Sequence, residues 1–71
     1  MSKTIIVPMA GTMWKVLVKV GDSFAAGDTV AILESMKMEI PIEAEIAGTV
    51  ESIGTPEGTV VDEGHVLLIF V

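Results

Sequence analysis

Residues Glu34-Ser35-Met36-Lys37-Met38-Glu39-Ile40, at the middle of a 71-residue chain, decide how the remainder is read. Leu33, Glu34, Met36, Lys37, Met38 and Glu39 are good helix formers, so propensity alone writes a helix here. The flanks argue for strands. Downstream, Met38, Ile40, Ile42, Ala44 and Ile46 alternate with Glu39, Pro41, Glu43 and Glu45, the period of two of a half-buried strand. Upstream, Val30-Ala31-Ile32-Leu33 is a short apolar run introduced by the turn signal Gly27-Asp28. Two strands therefore flank Ser35 to Lys37, and the chain must reverse between them. A tight two-residue reversal needs positive φ and normally recruits Asn, Asp or Gly, none of which stands at this tip. A local rule broken at one place points to a functional site.

Working outward, Thr4 to Val7 reads as an opening strand stopped by Pro8. After Ala10-Gly11-Thr12, the residues Trp14, Val16, Val18 and Val20 alternate with Lys15, Leu17 and Lys19, which predicts a second strand with one basic face and with Trp14 packed in the core or on the sheet. Gly21-Asp22 ends that strand, and Phe24 is expected to plug the core from a connecting loop.

Beyond the central stretch the chain repeats itself. A shift of 37 residues superimposes Ile5 on Ile42, Ala10-Gly11-Thr12 on Ala47-Gly48-Thr49, Gly21 on Gly58, Gly27 on Gly64 and Ile32 on Ile69. Apolar pairs follow the same shift, among them Met13 with Val50, Phe24 with Val61 and Leu33 with Phe70. Matched glycines are expected where two copies of one turn system need positive φ. Two similar all-strand halves of about 30 residues cannot bury their faces alone, so they should pack on each other around a pseudo-two-fold axis with Lys37 at the crossover.

Composition narrows the function. One domain over residues 1–71, with one modest core, is near the lower size limit for folding without staples. The absence of cysteine excludes a disulfide framework, a thiolate metal site and a cysteine nucleophile, and it suits a reducing compartment. The longest apolar run, Val66 to Val71, is far too short to span a bilayer, and no signal or transit pattern is visible; the expectation is a cytoplasmic protein that binds no membrane. Four lysines against ten acids give a net charge of −6, which repels a nucleic-acid backbone and favours partners with basic patches. His65, the only histidine, has no second histidine or nucleophile to support metal binding or catalysis and is read as a solvated turn residue.

At Glu34-Ser35-Met36-Lys37-Met38 the chain resembles the attachment motif of biotinyl carrier domains, whose core is Met-Lys-Met preceded by Ala or Ser and an acidic residue. The resemblance runs on through Val20-Gly21-Asp22, Gly27-Asp28, Pro41, Ala47-Gly48 and Gly58 to Leu67, and is nearest to the single-domain biotin/lipoyl attachment proteins of biotin carboxyl carrier type. It implies an all-β fold, a flattened barrel or sandwich of two antiparallel four-stranded sheets with the attachment lysine at a hairpin tip and the termini together at the other end. It also implies that Lys37 carries biotin in an amide bond, that Met36 and Met38 flank the cofactor, and that Glu34, Ser35 and Glu39 are candidate contacts for a biotin protein ligase. Met38, in register with Ile40 and Ile42, is expected to serve the core in part. A biotin carboxylase and a carboxyltransferase are the implied partners of a non-catalytic carrier, expected as a monomer when isolated. Lipoyl domains commonly carry Asp-Lys-Ala instead, so lipoate, alone or as a second group, is the alternative cofactor. An unmodified interaction module of the same fold is the other.

Overall fold

A computed structural model describes residues 2–71 as eight strands with no helix between them. The strands are β1 (Lys3–Ile6), β2 (Gly11–Val16), β3 (Ser23–Phe24), β4 (Thr29–Ser35), β5 (Met38–Glu43), β6 (Gly48–Ile53), β7 (Val60–Val61) and β8 (Val66–Phe70). They form two four-stranded antiparallel sheets, ordered β1-β8-β6-β3 and β5-β4-β2-β7. Val7, Met13, Phe24, Val30, Leu33, Leu67, Leu68 and Phe70 fill the space between them, with Phe24 and Phe70 meeting edge to face at 5.2 Å. Phe24 does plug the core, from a short strand paired with β6 rather than from a loop.

The 37-residue repeat is a repeat of structure. Shifting β2, β3 and β4 by 37 positions lands on the first residues of β6, β7 and β8, and the two sheet orders exchange under the same operation. The hydrogen bonds between turns and strands obey it individually. Gly58 N–H donates to Met13 carbonyl at 2.7 Å and Gly21 N–H to Val50 carbonyl at 2.9 Å; Gly64 N–H donates to Val7 at 2.9 Å and Gly27 N–H to Ala44 at 2.8 Å. Each half thus uses its turns to close the other half's strands, which is why neither half suffices alone.

Two classes of glycine hold this arrangement. Gly21 and Gly58 have φ of 93° and 86° with open space where a Cβ would stand, so only backbone conformation demands glycine there. Valine at either position is expected to lower stability by about 1–3 kcal/mol, equally in the two halves, because a β-branched residue tolerates positive φ poorly. Urea denaturation of the two variants is the check, and one harmless and one severe substitution would contradict the equivalence of the turns.

The second strand departs from the expected pattern. Val20 is 64 % exposed, β2 ends at Val16, and of the two placements expected for Trp14, core or sheet, the core is excluded by its 43 % exposure. The cause is a bulge: Met13 pairs with Leu33 and Lys15 with Ile32, leaving Trp14 without a partner. An inserted residue changes which face the following side chains take, so Met13 points inward before the bulge and Val16 and Val18 after it. A second bulge, in the β4–β5 ladder between Thr29 and Ala31, lets Val30 and Ala31 both be fully buried, which explains the continuous apolar run.

Candidate functional site

The β4–β5 hairpin pairs Leu33 with Ile40, Glu34 with Glu39 and Ser35 with Met38, which leaves Met36 and Lys37 as a two-residue turn. Both turn residues are left-handed, with φ of 51° for Met36 and 65° for Lys37, as a tight hairpin turn matched to strand twist requires. Among the described residues they are the only non-glycine positions with positive φ. An L-residue there costs about 1–2 kcal/mol, and neither residue is buried where packing could repay it. The strain is therefore confined to the tip, at the place where the turn residues normally recruited are missing from the sequence.

Lys37 is exposed, Met36 is 92 % exposed and Met38 is 65 % exposed. The expectation that Met38 partly serves the core is not met: the hairpin carries it beyond the sandwich, and in β5 burial begins only at Ile40 and becomes complete at Ile42. The site is thus an amine between two solvated thioethers. Behind it Glu34 and Glu39 are directly opposed and exposed, an arrangement that is unfavourable for like charges and gives the hairpin an acidic base. Ser35 is half-buried at the last strand pair. Lys3, Lys15 and Lys19 lie elsewhere, on β1, on β2 and in the segment that follows β2.

The base of the hairpin is held by β2, whose Thr12 pairs with Glu34. Gly11 permits that approach, since a Cβ there would stand 2.5 Å from the Glu34 carbonyl oxygen and 3.2 Å from Leu33 Cδ1. Its repeat mate Gly48 is similarly crowded by Phe70 and Phe24. Gly11 is a part of the site's support that the motif around Lys37 does not reveal. Positive φ is the expectation for the matched glycines, but Gly11 and Gly48 do not have it; what requires glycine at these two is close packing.

No group of three or more His, Cys, Asp or Glu side chains able to hold a metal occurs among the described residues. His65 is exposed in its turn. A groove of about 590 Å³ lies between edge strands β1 and β5, with Lys3, Glu43 and Glu45 as its charged lining residues, on the body of the molecule rather than at the hairpin. No helix is long and apolar enough to cross a membrane.

The sandwich thus displays one strained two-residue turn at the end of its β4–β5 hairpin. The chain belongs to the biotin/lipoyl attachment family, whose model, described as "Biotin-requiring enzyme", matches residues 3–70. It is 55 % identical over 65 residues to the biotin/lipoyl attachment protein of Bacillus subtilis (strain 168), covering 92 % of this chain and 89 % of that protein. It is 45 % identical over 67 residues to the biotin carboxyl carrier protein of Streptococcus mutans, covering 94 % of this chain and 52 % of the relative. Among solved structures, a single-chain, multi-domain long-chain acyl-CoA carboxylase superposes with a TM-score of 0.93 at 30 % identity, over 99 % of this chain and 7 % of the other. The expected fold, two antiparallel four-stranded sheets, is the fold observed.

Proposed function

We propose that residues 1–71 act as one carrier domain, a biotin carboxyl carrier with biotin on the Lys37 amine. The observation that carries this reading is the exposed lysine on a left-handed two-residue tip, in a chain of this family. The tip fits the group: it offers one primary amine free of the body, with two polarisable thioethers beside it able to lie against a ring. Loading is an acyl transfer. The deprotonated Lys37 nitrogen attacks the acyl carbon of an adenylate held by a biotin protein ligase, the new amide C–N bond replaces the bond to AMP, and the amine's second proton goes to solvent or ligase. Once bound, biotin supplies a ring nitrogen that can carry a carboxyl group. The remaining work belongs to the chain. The paired strands fix where the tip stands, and the acidic surface keeps a small body soluble while a tether raises effective concentration at a biotin carboxylase and a carboxyltransferase in turn. On this reading the domain does no chemistry alone and works in the cytoplasm as a monomer.

Lipoate is the competing cargo, kept in view by the name of the Bacillus subtilis relative and disfavoured by the methionines on both sides of Lys37. Intact mass of the chain purified from its own host separates the readings. A mass increase of one biotinyl group is expected; a lipoyl increase, or an unmodified chain, would overturn the proposal.

A further inference from the structure

Sequence positions 14 to 19 present a surface the fold does not require. Trp14 stands out at its bulge with 43 % of its surface exposed, and the Lys15 ammonium lies over its ring, 5.5 Å from the centroid. Beyond the bulge the chain alternates, Val16 and Val18 turning inward while Lys15, Leu17 and Lys19 turn out. Leu17 is 52 % exposed. The outward stripe Trp14, Lys15, Leu17, Lys19 therefore sets two apolar side chains beside two of the four lysines of a chain whose net charge is −6.

The internal repeat supplies a control. The same backbone positions in the second half are Glu51, Ser52, Gly54 and Pro56, with Glu51 skipped in its ladder between Val50 and Ser52 as Trp14 is skipped in its own. That half folds with no aromatic, no long aliphatic and no cationic side chain in the stripe, Pro56 being its one apolar residue. Packing and turn geometry are thus satisfied without an exposed indole, so the fold does not require Trp14 and Leu17 side by side on this face.

We infer that this stripe is a docking surface for a client enzyme, one that acts on the group carried by Lys37, and that the enzyme's complementary face sets carboxylates around an apolar slot for Trp14. The inference rests on the carrier reading above. Charge complementarity selects the occupant: cations flanking exposed apolar groups on an otherwise acidic domain call for an acidic, apolar-centred partner. Position selects its role. Lys15 is paired with Ile32, and Leu17 N–H donates to Val30 carbonyl at 2.9 Å, so the stripe starts about 15 Å behind the tip at roughly 3.3 Å per residue and runs away from it. A ligase, which must bring the amine itself onto an adenylate, works at the tip, whereas a client reached through a long tether can hold the body.

The test replaces stripe residues by those the other half already carries, Trp14→Glu with Lys15→Ser, in the biotin-loaded chain. Rates are measured separately with the biotin carboxylase and the carboxyltransferase of the same host, and with its biotin ligase on the unloaded chain. Expected is a rise in KM for the carrier of at least about tenfold with one or both client enzymes, kcat unchanged, and ligase kcat/KM within about twofold of wild type. Unchanged KM with both clients overturns the inference, and so does an equal loss at the ligase, which would make the stripe a loading surface. Intact mass scores loading first, so a chain that takes no biotin overturns the carrier reading and this inference with it, whereas a loaded variant of normal KM overturns this inference alone.

Discussion

Lys37→Arg is expected to leave the domain folded and to abolish loading completely. Arginine keeps the positive charge, the unbranched stem and the exposure, so the turn meets the same backbone demand at φ 65° and stability should change by less than about 0.5 kcal/mol. What it removes is a primary amine that can lose a proton and attack, because the guanidinium stays protonated and its nitrogen lone pairs are delocalised. Lys15 and Lys19 cannot substitute, since they stand on the flank rather than on a projecting two-residue turn. Co-expression with a biotin ligase, followed by intact mass and peptide mapping, provides the measurement. Label on Lys3, Lys15 or Lys19 in either protein would show that the ligase accepts any exposed amine, and the assignment of Lys37 would fall.

How far the sequence could be read depended on whether local pattern or cross-strand register determined a feature. The hairpin was legible because alternation after Met38 and the apolar run before Glu34 left Ser35 to Lys37 for the reversal, which the ladder then narrows to Met36 and Lys37. The repeat was legible because glycine is needed wherever φ is near 90°, and four such positions, Gly21, Gly27, Gly58 and Gly64, fall on one 37-residue shift. Register hid the rest. A single extra residue at Trp14 turned outward a tryptophan expected in the core or on the sheet and put Met13 inside, and nothing in a period-two reading announces where a bulge falls. Met38 and Ile46 keep the apolar alternation yet are exposed, at 65 % and 44 %, because periodicity gives the face of a strand but not how far the opposite sheet extends to cover it. The opposition of Glu34 and Glu39 likewise exists only once the ladder is known.

The pseudo-two-fold axis also explains why the tip lies where it does. Hairpin β4–β5 corresponds, under the 37-residue shift, to the pairing of β8 with β1, in which Phe70 is the partner of Lys3. The counterpart of the turn is therefore the gap between the chain's last and first strands. One architecture thus yields a closed, strained tip on one half and the two chain ends on the other. In relatives of which this chain covers 52 % or 7 %, the remaining polypeptide has to join at those ends, on the half that does not carry the tip.

Exchanging two neighbours, Met36→Lys with Lys37→Met, separates a site read by geometry from one read by composition. The pair keeps net charge, hairpin length and side-chain volume, and both residues already occupy left-handed backbone, so each newcomer meets a conformation its predecessor tolerated. The Ser35–Met38 pair below fixes the frame. Successive residues at a tight reversal send their side chains in different directions, so the exchange redirects the amine while leaving the body unaltered. Acyl transfer to an amine depends on a near-attack arrangement in which small misplacements are costly. Ligase kcat/KM is expected to fall at least about tenfold, the effect of only ~1.4 kcal/mol in the barrier. Circular dichroism and urea midpoints should match wild type, because neither position is covered by other side chains in the way the core residues are. Equal loading rates for the two folded proteins would mean that the ligase reads an extended, flexible peptide. The left-handed tip would then be a consequence of strand pairing and no part of recognition.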